Sequence, residues 1–196
     1  MKKQPNSYEK LLSFVVEAGM LKRVQRSGWS VVGVQDAESV AEHSFRCAII
    51  GYILACMEGV GAYKILLMTI FNDIQEARTT DLHKMAQRYI KIEKGEEQAF
   101  HEQVRYLPKN INKELMAMRK EYFAQGTKES IIARDADILE CLIQAKEYYE
   151  HGFREAIKFT KEAPRFLKTK SAKKLWALAK RNNMCDWWLK LSDFKR

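Results

Sequence analysis

Two polar side chains stand where helix periodicity demands apolar ones. Around "ESVAEHSFRCAII", Val40, His43, Cys47, Ile50, Leu54 and Met57 recur at heptad spacing, and only His43 is strongly polar. In the next apolar stretch Tyr63, Leu66, Ile70, Asp73 and Ala77 share a face, and the exception is Asp73. A buried carboxylate costs several kcal/mol unless a cation or hydrogen-bond donors compensate it. On consecutive helices the two can pair as His with Asp, or share a metal ion; periodicity alone does not decide. Asn72 and Glu76 lie close by on the same stretch, and "ARDADILECLIQA" adds Asp135, Asp137 and Glu140 to another apolar pattern. One His with two or three carboxylates from separate helices is a reasonable ligand set for a hard or borderline divalent ion. Local spacing does not choose between Asp135 and Asp137.

The elements that must position these residues are helical. Only 9 Gly and 3 Pro occur in 196 residues, too little turn chemistry for many short strands. The periodicity predicts helices over "NSYEKLLSFVVEAGM", capped by Ser7, then Glu38 to Glu58 and Tyr63 to about Arg78. A break at "TTDLH" precedes further helices over about 93–106, 110–125 and 128–150. Between the first two lies "LKRVQRSGWSVVGVQDAES", a long loop of the kind that tends to be functional. From about 153 to 191 come two or three short amphipathic segments, with Trp176, Trp187 and Trp188 expected to anchor them. The expectation is one all-α domain over 1–196, with a core at about 8–150 and a C-terminal helical extension at about 151–196.

Apolar residues at 46% and charged ones at 30% exclude a disordered chain. The apolar run "KILLMTIF" is too short for a bilayer and "MKKQPNSYEK" lacks a signal peptide's apolar stretch, so no membrane is expected. Four cysteines without C-x-x-C spacing read as reduced thiols in a cytoplasmic protein, Cys47 packing as a small hydrophobe. A net charge of +9 favours anionic partners such as small phosphates, while no nucleic-acid-binding signature is visible. His83, His101 and His151 read as surface residues, and the aromatic tail offers a surface for a homo-oligomer.

These blocks together resemble the HD-domain metal-dependent phosphohydrolases, in the branch of the 5'-deoxynucleotidases. That family's pattern is a His, then a His-Asp doublet on the next helix, then a distant Asp. "SVAEHSF" supplies His43, "NDIQE" supplies Asp73 and Glu76, "TTDL" supplies Asp81, and the phase of "LIQAKEY" favours Asp137. "LKRVQRSGW" is similar to the family's substrate loop. The doublet's His is replaced by Asn72, whose amide is a neutral, harder and weaker ligand than imidazole.

The resemblance implies an HD-like helical bundle holding a divalent cation (Mg²⁺, Mn²⁺ or Co²⁺) on His43, Asp73 and Asp137, with Asn72 or water in the fourth place. An oxygen-rich set shifts preference toward Mg²⁺ or Mn²⁺. It implies hydrolysis of a nucleoside 5'-monophosphate, a deoxynucleotide above all, at a rate reduced by Asn72. Glu76 then handles the water or leaving-group proton and Asp81 the sugar side. Arg26, with Lys22 or Arg23, grips the phosphate. Trp29 either stacks on a base or plugs the loop onto the core. The rival reading is a catalytically inactive nucleotide-binding or scaffold protein on the same fold.

Overall fold

The computed structural model of the protein describes residues 7–191, and helices are the regular elements among them, with no strand. In chain order they are α1 (Ser7–Ala18), α2 (Val40–Glu58), α3 (Ala62–Phe71), α4 (Glu76–Thr79), α5 (Lys84–Gln87), α6 (Glu93–Val104), α7 (Lys109–Ala124), α8 (Lys128–Glu150), α9 (Phe159–Glu162) and α10 (Lys170–Ala179). The cap expected from Ser7, like the polar opening at 1–6, lies outside what is described.

Local chemistry sets the main boundaries. The Ser39 hydroxyl accepts from the Glu42 N–H at 3.2 Å while the Glu42 carboxylate accepts from the Ser39 N–H at 2.6 Å. This reciprocal box satisfies two donors that the first turn of α2 leaves open. Gly59 ends α2 with φ 68°, a left-handed conformation glycine adopts without penalty. Thr127 and Ser130 form the corresponding box at the start of α8.

α2, α3 and α8 pack together around Leu54, Ile65, Ile132, Leu139 and Leu142, all fully buried. α2 approaches α3 closely at Gly51, where a Cβ would stand 3.0 Å from Ile65 and 3.3 Å from Thr69. A second cluster joins Phe100, Val104 and Leu115 to Leu21, Val24 and Val40. A third surrounds Trp29 and Tyr148.

Several expectations need correction. The stretch from Tyr63 to Arg78 is not one helix. It breaks after Phe71 into tight turns, and Asp73, Ile74, Gln75 and Glu76 are consecutively buried, which a regular helix face cannot achieve. The face drawn through Tyr63, Leu66 and Ile70 is accordingly out of phase. Tyr63 and Ile70 are 63% and 45% exposed, and the buried face carries Ile65, Met68 and Thr69. The α2 stripe is buried from Val40 to Leu54, but Met57, near the helix end, is exposed.

The long loop is structured by 3₁₀ turns at Gly19–Lys22 and Ser27–Val32 and by an antiparallel bridge of Gln25 with Ser39. In the tail Trp176 is buried beside Leu167 and Ala172, whereas Trp187 and Trp188 are 75% and 47% exposed. α10 already closes that face of the core, leaving the final 3₁₀ turn, Asp186–Leu191, little to cover. α2 is long and apolar enough to cross a membrane, a property the "KILLMTIF" run did not reveal; half of its apolar window is buried inside the bundle.

Candidate active site

α2 delivers His43 into the bundle, 1% exposed, and α8 fixes its orientation. His43 Nδ1 lies 2.5 Å from Glu140 Oε2, and Arg46 grips the other oxygen of that carboxylate at 2.9 and 2.7 Å. Arg46 also reaches Glu147, at 2.9 and 2.7 Å. With Nδ1 held, Nε2 faces Asp137 Oδ1 at 3.2 Å and Asp73 Oδ2 at 3.7 Å. Anchoring the far nitrogen in this way is how proteins orient a metal-binding imidazole. Cys47, one turn along α2, brings Sγ to 3.4 Å from the same Nε2.

The two aspartates that spacing left open divide cleanly. Asp137 turns toward His43, with Tyr122 Oη at 3.4 Å and Arg134 Nη1 at 3.2 Å on its other oxygen. Asp135 faces away and caps α10, accepting from the Lys168 N–H at 2.9 Å, the Thr169 N–H at 2.7 Å and the Thr169 hydroxyl at 2.6 Å.

Asn72 Nδ2 donates to Asp73 Oδ1 at 2.7 Å, so the amide orients Asp73. Among the described residues two sets of three ligand atoms lie within 4.8 Å of one another: His43 with Cys47 and Asp137, and Glu38 with His43 and Glu140. Asp73 touches the imidazole but belongs to neither set. The donors fit a divalent cation by their chemistry: one imidazole nitrogen faces two aspartates and a thiol inside the bundle.

Beside these residues opens a cleft of about 520 Å³ lined by Arg26, Asn72, Asp73, Glu76, Asp81 and Asp137 together with His83, Lys84, Tyr122 and Arg134. The size suits a small ligand. Arg26 is half-buried, and its guanidinium makes no hydrogen bond or ion pair among the described residues. Burial opposes its charge, yet Asp73, Asp81 and Asp137 raise its pKa overall. Glu76 is buried with Oε2 unpartnered among the described residues. Burial, reinforced by Asp73 and Asp81, pushes its carboxyl up to about 9.

Glu140 is shifted the other way: burial disfavours its charge, but His43 and Arg46 outweigh that and lower its pKa. Burial likewise works against Asp137, and the His43 hydrogen bond holds it low. Asp73 rises, chiefly through burial. Burial works against charge on the His43 ring, yet Cys47 and Asp137 beside it raise its pKa. The Cys47 thiol is pushed up to about 12 by burial.

Asp81 accepts the Ser27 N–H at 2.6 Å, tying its loop to the turn after Arg26. The preceding Thr80 has φ 61° and ψ 164°, a region that favours glycine. Trp29 is buried against Tyr148 and Phe159, with Nε1 donating to Glu38 at 2.9 Å, so it plugs the loop and only borders the cleft. Lys22 and Arg23 do not line the cleft. Leu21 and Val24 turn into the core beside the Gln25–Ser39 bridge, which leaves the two cations exposed. His83, expected at the surface, is half-buried at the cleft, and its Nδ1 accepts from the Ala86 N–H at 3.2 Å. Sequence reasoning missed Arg46, Arg134 and Tyr122. The two arginines carried a signal: each lies three residues from an inward polar group, Arg46 from His43 and Arg134 from Asp137.

The family model of the HD domain matches residues 18–176. This chain belongs to the HD-domain family. The match runs past residue 150, so the family's pattern takes in much of the segment set apart above as an extension. Human 5'-deoxynucleotidase HDDC2 is 31% identical over 140 residues, which cover 70% of this chain and 68% of that protein. Among solved structures, a genomics target known from its crystal structure is 35% identical with a TM-score of 0.76, covering 92% of this chain and 99% of that one. A conserved hypothetical protein from Pyrococcus furiosus is 30% identical with a TM-score of 0.71, covering 87% and 99%.

Proposed function

We propose that the protein is a metal-dependent phosphohydrolase that releases phosphate from nucleoside 5'-monophosphates, deoxynucleotides above all. The observation that carries the reading is Arg26: a half-buried guanidinium without a side-chain partner among the described residues, sharing a cleft with the un-ionised Glu76 and with Asp137, which meets His43 behind it. A guanidinium fork suits phosphate oxygens. Relatives named 5'-deoxynucleotidase supply the substrate class.

In this reading Arg26 binds and orients the phosphate. Glu76, neutral at pH 7, gives its proton to the departing 5'-oxygen of the sugar as the phosphorus–oxygen bond breaks and water adds to phosphorus. Asp81 takes the sugar side. A divalent cation on His43, Asp73 and Asp137 would polarise a phosphate oxygen and favour ionisation of a bound water. Tyr122 and Arg134 hold the outer oxygen of Asp137.

Phosphate release is measured across nucleoside and deoxynucleoside monophosphates with Mg²⁺, Mn²⁺ and Co²⁺ supplied separately. Release is expected with at least one ion, and Glu76→Gln lowers it about 10²–10⁴-fold. No release under any condition removes the reading.

One observation favours the inactive alternative: Asn72 turns its nitrogen, not its oxygen, toward Asp73, so on that side the amide is a hydrogen-bond donor and not a ligand. Asn72→His separates the two. Metal content and turnover rising together mark an attenuated enzyme; metal returning without turnover marks an inactive one.

A further inference from the structure

Cys47 does not sit as a mere apolar filler. It is buried, and its sulfur stands 3.4 Å from His43 Nε2, the ring nitrogen that Glu140 leaves free. Four residues separate it from His43, so both side chains leave the same face of α2. His43, Cys47 and Asp137 form one of the two sets of mutually close ligand atoms, and that set excludes Asp73.

The spacing has the dimensions of a metal site. Bonds of about 2.0–2.2 Å to nitrogen or oxygen and about 2.3 Å to sulfur give tetrahedral edges of about 3.4 Å between N and O and about 3.6 Å between N and S. The corresponding separations here are 3.2 Å to Asp137 and 3.4 Å to Cys47. Cys47 also lines, with Asn72, Asp73 and Asp137, one gap too narrow for a water molecule, so the thiol and the amide border the same spot.

We propose that Cys47 is itself a ligand of the divalent cation, taking the place that the neutral Asn72 amide fills poorly, so that the site prefers a borderline ion such as Zn²⁺ or Co²⁺ to Mg²⁺. A sulfur donor reverses the preference expected from an oxygen-rich set. On coordination the S–H proton passes to solvent and a sulfur lone pair forms the new bond. Asn72 stays on Asp73 and acts through it as a positioning residue. This inference rests on the cation site proposed above and goes further by naming a ligand and a class of ion.

The test is titration of the chelator-stripped full chain with Co²⁺, read by near-ultraviolet absorption, with equilibrium dialysis counting bound metal. A thiolate-to-cobalt charge-transfer band is expected to grow with occupancy. Cys47→Val abolishes it and weakens Co²⁺ binding at least about tenfold, while Mg²⁺ affinity stays unchanged. Cys141→Ser keeps the band. Circular dichroism checks the fold; if the valine variant does not fold, Cys47→Ser must abolish the band instead. Cobalt bound without the band, or a band surviving replacement of Cys47, overturns the assignment. Failure to bind cobalt at all overturns both this assignment and the cation site beneath it. A chain with the Cys47-dependent band but no phosphate release keeps the ligand and loses only the proposed enzyme.

Discussion

Two buried glutamates, one lining the cleft and one behind His43, have opposite characters. Glu140 has no solvent exposure and Glu76 only 7%, yet the pKa of Glu140 is lowered and that of Glu76 is pushed up to about 9. Burial is common to both, so partners make the difference. Glu140 sits mid-way along α8, between His43 and Arg46, with both oxygens engaged. Glu76 starts the one-turn helix α4, with Asp73 and Asp81 nearby and one oxygen unpartnered among the described residues. A carboxylate held charged by donors is scaffolding; one held neutral by its surroundings has a proton to give.

The largest effect expected from breaking this contrast is at Glu140. Glu140→Gln leaves Arg46 and His43 with a neutral partner in the interior and costs about 3–5 kcal/mol, read as a drop in chemical-denaturation stability. Because the folded pKa of Glu140 lies below its unfolded value, its contribution is present above the unfolded value and fades as pH falls toward the folded one. The loss caused by the variant therefore shrinks in acid.

Glu76 carries the opposite slope. Its folded pKa is raised, so stability is greatest below the unfolded value of 4.5 and declines as pH rises toward about 9. In chelator, Glu76→Gln is expected to be more stable than the native protein at pH 8, by at least about 1 kcal/mol or 2–4 °C in Tm. The two proteins converge below pH 4.5. Equal Tm values at pH 8 would refute the assignment of a buried neutral carboxyl.

The smallest effect is at Thr80. Its φ of 61° is costly for a β-branched residue. Thr80→Gly relieves strain and is expected to stabilise the chain by about 0.5–1 kcal/mol, after the entropy that glycine loses on folding. Greater freedom at that position loosens Asp81 from Ser27, so KM rises while the melting temperature improves.

The same contrast explains what the sequence made legible. His43 and Cys47 lie in a long, doubly capped helix, where heptad spacing places a side chain correctly, and the apolar pattern placed α8 at about 128–150. Asp73 and Glu76 lie in tight turns after α3 whose burial follows no helical period. The apparent alignment of Asp73 with Tyr63 and Ile70 was coincidence of phase. Asp135 against Asp137 could not be decided locally, because the partner that claims Asp135 arrives 33 residues later. The pairing of Arg46 with Glu140 spans 94 residues, so the spacing of Arg46 from His43 hints at an inward role without naming the partner.

The division between Asp135 and Asp137 binds the tail to the chemistry. Two positions apart on α8, one carboxylate tethers the backbone at Lys168 and Thr169 while the other meets His43. Cutting the chain before Lys168 would leave the buried Asp135 carboxyl without these donors, two residues from Asp137 on the same helix. The last helices are therefore a buttress for the cleft, and shortening the protein there should blunt the site without touching any residue that lines it.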